Sequence, residues 1–169
     1  MEIKEMIQLR NIYDSLEREN PKLVLVEGMD GSGKSTLLRT FYTKYINDSI
    51  RVFVTYDLIS TYNTIDMFKK IRDELEKSLS QRLNLRNLLI EKGEWTIESF
   101  VNYLKTLSDF RKVVIIIDQA ENGNAQCFGS LLYILRSMQG KKLMIIVSYD
   151  PLKINEDFRD FILKTSSLP

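Results

Sequence analysis

Apolar residues along this chain fall into two kinds of pattern. Four short runs are continuous: "KLVLVEG" (22–28), "IRVFVTYD" (50–57), "KVVIIIDQ" (112–119) and "KLMIIVSYD" (142–150). An unbroken stretch of five or six residues rich in Val and Ile suits a strand covered on both faces, as in a parallel sheet. Elsewhere apolar residues recur at helical spacing. Ile3, Ile7, Leu9, Ile12 and Leu16 predict a helix over 3–18, within an N-terminal segment of residues 1–20 stopped by Asn20-Pro21. Further helices are predicted over 34–46, over 64–79 from a Thr64 cap, over 80–92 ended by Gly93, over 96–110, and over 125–140 ended by Gly140. Thr96-x-x-Ser99 opens the 96–110 segment as a cap without the Glu of a capping box. An amphipathic stretch covers 154–164.

Strands and helices alternate, so the pattern predicts a three-layer α/β/α domain with a mostly parallel sheet. Between the second and third strands lies an all-helical insert, residues 58–111, long enough for three helices and able to form a small subdomain over one face. There is no repeat, low-complexity tract or Pro/Gly/Ser linker, and residues 1–169 read as one domain.

Composition narrows the chemistry. Lys plus Arg (24) balance Asp plus Glu (23), leaving +1 and no global field to attract nucleic acid or an anionic membrane. The chain contains 0 histidines, which excludes His-based acid–base catalysis, Ser-His triads and His-ligated metals. With Cys127 as the sole cysteine, no internal disulfide forms, and a reducing cytoplasmic setting is expected. The charged N-terminus is unlike a signal peptide, and no apolar run nears the roughly 18 residues that would span a bilayer, so no membrane partner is expected.

One stretch carries a complete chemical motif. Gly28-Met29-Asp30-Gly31-Ser32-Gly33-Lys34-Ser35 satisfies G-x-x-x-x-G-K-[ST], with a strand pattern before it and a helix pattern after it. Glycines let backbone N–H groups converge on a β-phosphate, and the following helix adds its positive N-terminal end. Lys34 can reach β- and γ-phosphate oxygens, the Ser35 hydroxyl can ligate Mg²⁺, and Thr36 is placed for the α-phosphate. Asp118 closes the apolar run "VVIIID", at the strand end where open parallel sheets bind ligands, and is the expected second Mg²⁺-associated group.

Together these motifs resemble those of P-loop NTPases. "IIIDQAEN", then a helix pattern, then "LMIIVSYD", is similar to the AAA+ and STAND ATPases of the additional-glutamate class. The resemblance implies Mg²⁺-dependent ATP hydrolysis in a DNA-related or regulatory process. It makes Asp118 the Mg²⁺-associated aspartate, Gln119 the occupant of the catalytic-glutamate position and Ser148 the sensor. An amide cannot accept the proton of an attacking water, so Gln119 implies slow hydrolysis unless Glu121 or Asp57 substitutes. The same loop, "EGMDGSGKSTL", is also similar to that of thymidylate kinases, which makes a nucleoside monophosphate kinase the alternative. Against it, no D-R-Y/H segment and no arginine-dense lid is present. A module that binds ATP without hydrolysing it is the third reading. In the first class another strand separates the Asp-bearing strand from the loop-bearing one; in the kinases the two are direct neighbours.

Partners are less marked. By analogy a homo-oligomer, a protein partner or DNA is open, with Arg136 and Arg159 as arginine-finger candidates against the plainer reading of solvated surface arginines. Arg72, Arg82, Arg86 and Lys92 alternate with acids, which reads as a solvated helix face. Trp95, Phe100 and Tyr103 read as packing residues, as do Tyr56, Tyr62 and Tyr149 over base contacts.

Overall fold

In the computed structural model, which describes residues 3–16, 20–55, 64–80 and 96–165, the predicted alternation of strand and helix is present. The elements are α1 (Ile3–Asp14), β1 (Lys22–Glu27), α2 (Lys34–Thr40), β2 (Ile50–Thr55), α3 (Thr64–Ser80), α4 (Ile97–Ser108), β3 (Val113–Asp118), α5 (Ala125–Ser137), β4 (Leu143–Tyr149) and α6 (Glu156–Thr165). The expected helix over 34–46 is split: α2 passes into one π-helical turn, Phe41–Tyr45. The expected helix over 80–92, with Arg82, Arg86 and Lys92, lies outside the described residues, as do Tyr56, Asp57, Tyr62 and Trp95.

The sheet has the order β1-β4-β3-β2 and every pair is parallel. Alternate residues of the two central strands serve different layers. Val113, Ile115, Ile117, Leu143, Ile145 and Val147 join a core built with α3, α4, α5 and α6. Val114, Ile116, Met144 and Ile146 face Leu9, Tyr13, Leu37, Leu38 and Phe41 from α1, α2 and the π-turn. This accounts for the continuous apolar runs, since each strand must satisfy two apolar faces. The expectation of burial on both faces holds for β3 and β4 but not for β1 or β2. Those two lie at the edges: Leu23 to Val26 are only partly buried, and β2 alternates buried Ile50, Val52 and Val54 with partly exposed Arg51, Phe53 and Thr55.

The described part of the 58–111 insert belongs to the sheet's own covering layer. Met67, Phe68, Ile71 and Leu75 of α3 pack with Phe100, Leu104 and Leu107 of α4 in the larger core, and Phe68 and Phe100 meet at 5.2 Å. Phe100 and Tyr103 are thus packing residues. The cap of α4 is more complete than expected, because Ser99 takes the place of the missing Glu. Thr96 N–H donates to Ser99 Oγ at 2.9 Å while Ser99 N–H donates to Thr96 Oγ1 at 3.1 Å. In the same layer α6 is locked by aromatic contacts. Phe158 lies 5.3 Å from Phe128 of α5 and 4.7 Å from Tyr149 at the end of β4. Burying one such ring contributes about 1.5–3 kcal/mol, and here it also fixes where the chain leaves β4.

Candidate functional site

The glycine-rich loop leaves β1 under tight control. Gly28 N–H donates to Tyr149 O at 3.0 Å, carrying the β1–β4 ladder one residue into the loop. A Cβ at Gly28 would sit 2.7 Å from Ser32 Oγ and 3.2 Å from Lys34 Cδ, so a larger residue there would have to displace the Ser32 and Lys34 side chains. Gly33 caps α2 with φ 87°, a left-handed conformation that a side chain would strain. Lys34 is buried at 5% exposure, and its Nζ donates to Gly28 O at 3.0 Å, folding the side chain across the loop. Met29, Asp30, Gly31, Gly33, Lys34, Ser35, Thr36 and Gln119 wall a cavity of about 190 Å³; Ser32 turns back, its N–H donating to Met29 O at 3.0 Å.

A larger groove of about 520 Å³ runs between α1 and the edge strand β1. Its wall is mostly apolar β1 and α1 residues with Glu5 and Glu27 on it. Size does not decide between the two. The smaller cavity has the lysine, two hydroxyls and the glycine loop.

Beside the cavity-wall residues Ser35 and Gln119 stands Asp118, 2% exposed at the end of β3. Ser35 Oγ donates to its Oδ2 at 2.7 Å. Its Oδ1 accepts from the Ser148 hydroxyl and from Gln119 N–H at 3.1 Å, and that N–H also reaches Ser148 Oγ at 3.3 Å. The sheet brings these together. Val26 pairs with Ser148 and Ile117 with Val147, so β4 carries Ser148 into the gap between the loop and Asp118. Gln119 is the one non-glycine among the described residues with positive φ (57°), a conformation that costs about 1–2 kcal/mol. The chain turns sharply there, and a 3₁₀ turn, Ala120–Asn122, follows.

That turn delivers Glu121 into the interior at 5% exposure, with Oε2 buried and without a hydrogen-bond partner. Burial raises its carboxyl above the usual range. Backbone N–H groups of Glu121 and Asp150 and the charge of Lys34 act the other way, while Asp150 adds to the rise. Asp57 lies outside the described residues. Arg136 on α5 and Arg159 on α6 are exposed. Tyr149 is buried, and its hydroxyl donates to Glu27 Oε2 at 3.2 Å.

Two contributors escaped the sequence reading. Asp150, 3% exposed just past β4, accepts from Asp30 N–H at 3.3 Å and Leu152 N–H at 2.9 Å. Lys153 donates from its ammonium to the Asp30 carboxylate. A signal was available: "LMIIVSYD" ends in an Asp after an apolar run, as "VVIIID" does.

The donor set suits a hard cation that arrives with its ligand. Ser35 Oγ and the Asp118 carboxylate are oxygen donors already 2.7 Å apart. Among the described residues no group of three or more His, Cys, Asp or Glu could hold a metal alone. Mg²⁺ commonly takes one or two protein oxygens and completes its shell with phosphate and water, which two such donors allow.

Comparisons with known proteins bear on the family and the fold. A model of the AAA domain family matches residues 17–156. A chain of Drosophila ORC bound to DNA has a similar structure, with TM-score 0.56 and 14% identity, over 94% of this chain and 86% of that one. A chain of Drosophila ORC bound to GC-rich DNA and Cdc6 gives TM-score 0.57 and 14% identity over 94% of this chain, which spans 52% of that one. At such identity the likeness is one of fold. No curated protein sequence matches.

Proposed function

The chain belongs to the AAA domain family, and from that membership we propose that it binds Mg²⁺-ATP in the loop Gly28–Thr36 and hydrolyses it slowly. The observation that carries this reading is the strand order. β4 stands between the loop-bearing β1 and the Asp118-bearing β3, whereas a thymidylate-type kinase would have those two side by side. The kinase alternative loses its support on that point.

In this reading Lys34 releases Gly28 O and turns its ammonium to the β- and γ-phosphates, and Thr36 faces the α-phosphate. Ser35 and Asp118 would hold Mg²⁺, which when bound would neutralise phosphate charge. Ser148, hydrogen-bonded to Asp118, reports on the γ-phosphate. Gln119 lies in the cavity wall and orients water through its amide but cannot take the proton. Of the two carboxylates the sequence offers as substitutes, Glu121 is the one among the described residues, and it is proposed as the acceptor: it is buried three residues past Asp118, with Oε2 unpartnered. Turnover is therefore slow. The glutamine also favours a second reading, a module that holds ATP to organise an interface.

A DNA-related role and assembly with other copies or proteins rest on analogy alone, since the two ORC chains are described as DNA-bound. No described helix is long and apolar enough to cross a membrane. We further propose that residues 1–169 act as one nucleotide-binding domain. Calorimetry of Mg²⁺-ATP binding to the wild type and Lys34→Ala tests the proposal. The expected result is binding that requires both Mg²⁺ and Lys34; binding unaffected by the substitution would contradict it.

A further inference from the structure

We propose that Asp150 is a positioning residue of the phosphate loop, and that with Lys153 it makes the turn after β4 a clamp whose grip sets the affinity for Mg²⁺-ATP. The proposal rests on the ATP reading of the loop given above.

The clamp holds one residue from two sides. Asp150 Oδ2 accepts Asp30 N–H at 3.3 Å, and its Oδ1 accepts Leu152 N–H at 2.9 Å. Lys153 N–H donates to Asp150 O at 3.0 Å, closing the turn, and the Lys153 ammonium returns to the Asp30 carboxylate. Asp30 is thus gripped by its backbone from within and by its side chain from without. Gly28 N–H, on Tyr149 O at 3.0 Å, ties the start of the loop to the same stretch.

The two links differ in weight. Asp30 and Lys153 keep side-chain exposures of 64% and 55%, so their ion pair is screened by water and holds little on its own. Asp150 is 3% exposed. Removing its carboxylate takes the protein acceptor from two N–H donors, one of them in the loop, and so frees the loop more than loss of the exposed ion pair does. A buried carboxylate is expensive to keep unless it is hydrogen-bonded, and this one divides its bonds between the turn and the loop. Asp150 is not part of the cavity wall. It acts through the shape of the loop, so the effect belongs to binding and not to the bond-breaking step. A loop already set for the phosphates saves ordering cost on binding, and a released Asp30 amide forfeits that.

The test compares Mg²⁺-ATP affinity by calorimetry and steady-state phosphate release for wild type, Asp150→Asn, Asp150→Ala and Lys153→Met. Asp150→Ala should weaken affinity about tenfold, Lys153→Met about twofold or less, and Asp150→Asn should fall between because its amide oxygen still accepts one N–H. KM should follow the affinity while kcat stays within about twofold. A folded Asp150→Ala with wild-type affinity, or a loss confined to kcat, would overturn the clamp. If Asp150→Ala does not fold, exchange of the Asp30 amide decides: faster in Asp150→Asn than in wild type supports the clamp, equal rates overturn it. A wild type that binds no Mg²⁺-ATP defeats the ATP reading itself, and the clamp with it.

Discussion

Ser35 Oγ donates a 2.7 Å hydrogen bond to Asp118 Oδ2, joining the first turn of α2 to the end of β3 across the width of β4. Residues 83 apart in sequence are thereby set at the spacing two ligands of one cation require. Asp118→Asn keeps the size of the side chain but loses the charge. It should abolish the Mg²⁺ dependence of ATP binding and lower phosphate release by about 10²-fold or more. A metal titration followed by fluorescence, with an unchanged Mg²⁺ response, would count against the assignment.

Gln119 predicts a gain of function. Gln119→Glu places a proton acceptor in the cavity wall, where general-base catalysis is worth about 10²–10⁴-fold. Phosphate release should rise by about 10²-fold with KM little changed. In the wild type, Glu121→Gln should remove the residual turnover. An unchanged rate in Gln119→Glu would contradict the placing of position 119 at the attacking water, and an unchanged rate in Glu121→Gln would contradict the role of Glu121.

Glu121 also predicts a pH effect on stability. Burial raises its carboxyl in the fold above the unfolded value of 4.5. Such a group favours the folded state fully below the unfolded pKa, and the benefit disappears as pH rises through the folded pKa. Glutamine does not titrate. Glu121→Gln should therefore be more stable than wild type at pH 7, with the difference shrinking towards pH 4.5. Each 1 kcal/mol gained would read as about 2–4 °C in a thermal melt. A difference that grows on acidification would contradict this sign.

Phe158 ties the site to the core. It is fully buried among Phe128, Phe161 and Tyr149, the last at 4.7 Å. Phe158→Ala should cost about 3–5 kcal/mol and lower the melting temperature by about 10 °C. Because Tyr149 O anchors Gly28 N–H, Mg²⁺-ATP affinity should fall as well. Melting and calorimetry on the same variant check both; a destabilised protein with intact affinity would uncouple core from loop.

Sequence pattern revealed the elements because the runs at β3 and β4 must satisfy two apolar faces, which leaves an unbroken signature. The edge positions of β1 and β2 were not legible, since "KLVLVE" looks the same with one neighbour or two. The loop motif was legible because its chemistry fixes residue types at fixed spacing. Asp118 and Ser148 were each named from the sequence, but their contact needed the fold: the insertion of β4 between β1 and β3 brings them together. Lys153 left no motif, because it holds an exposed carboxylate; Asp150 left only the final Asp of "LMIIVSYD", a run that does not say the carboxylate holds a backbone amide. The left-handed turn at Gln119 was equally hidden, as nothing in "IIIDQAEN" demands positive φ.

The most direct test of the account follows the γ-phosphate of labelled ATP under single-turnover conditions, with Mg²⁺, with and without DNA, and with dTMP offered as acceptor. The account predicts slow release of inorganic phosphate, no dTDP, and faster release in Gln119→Glu. Rapid formation of dTDP would contradict it.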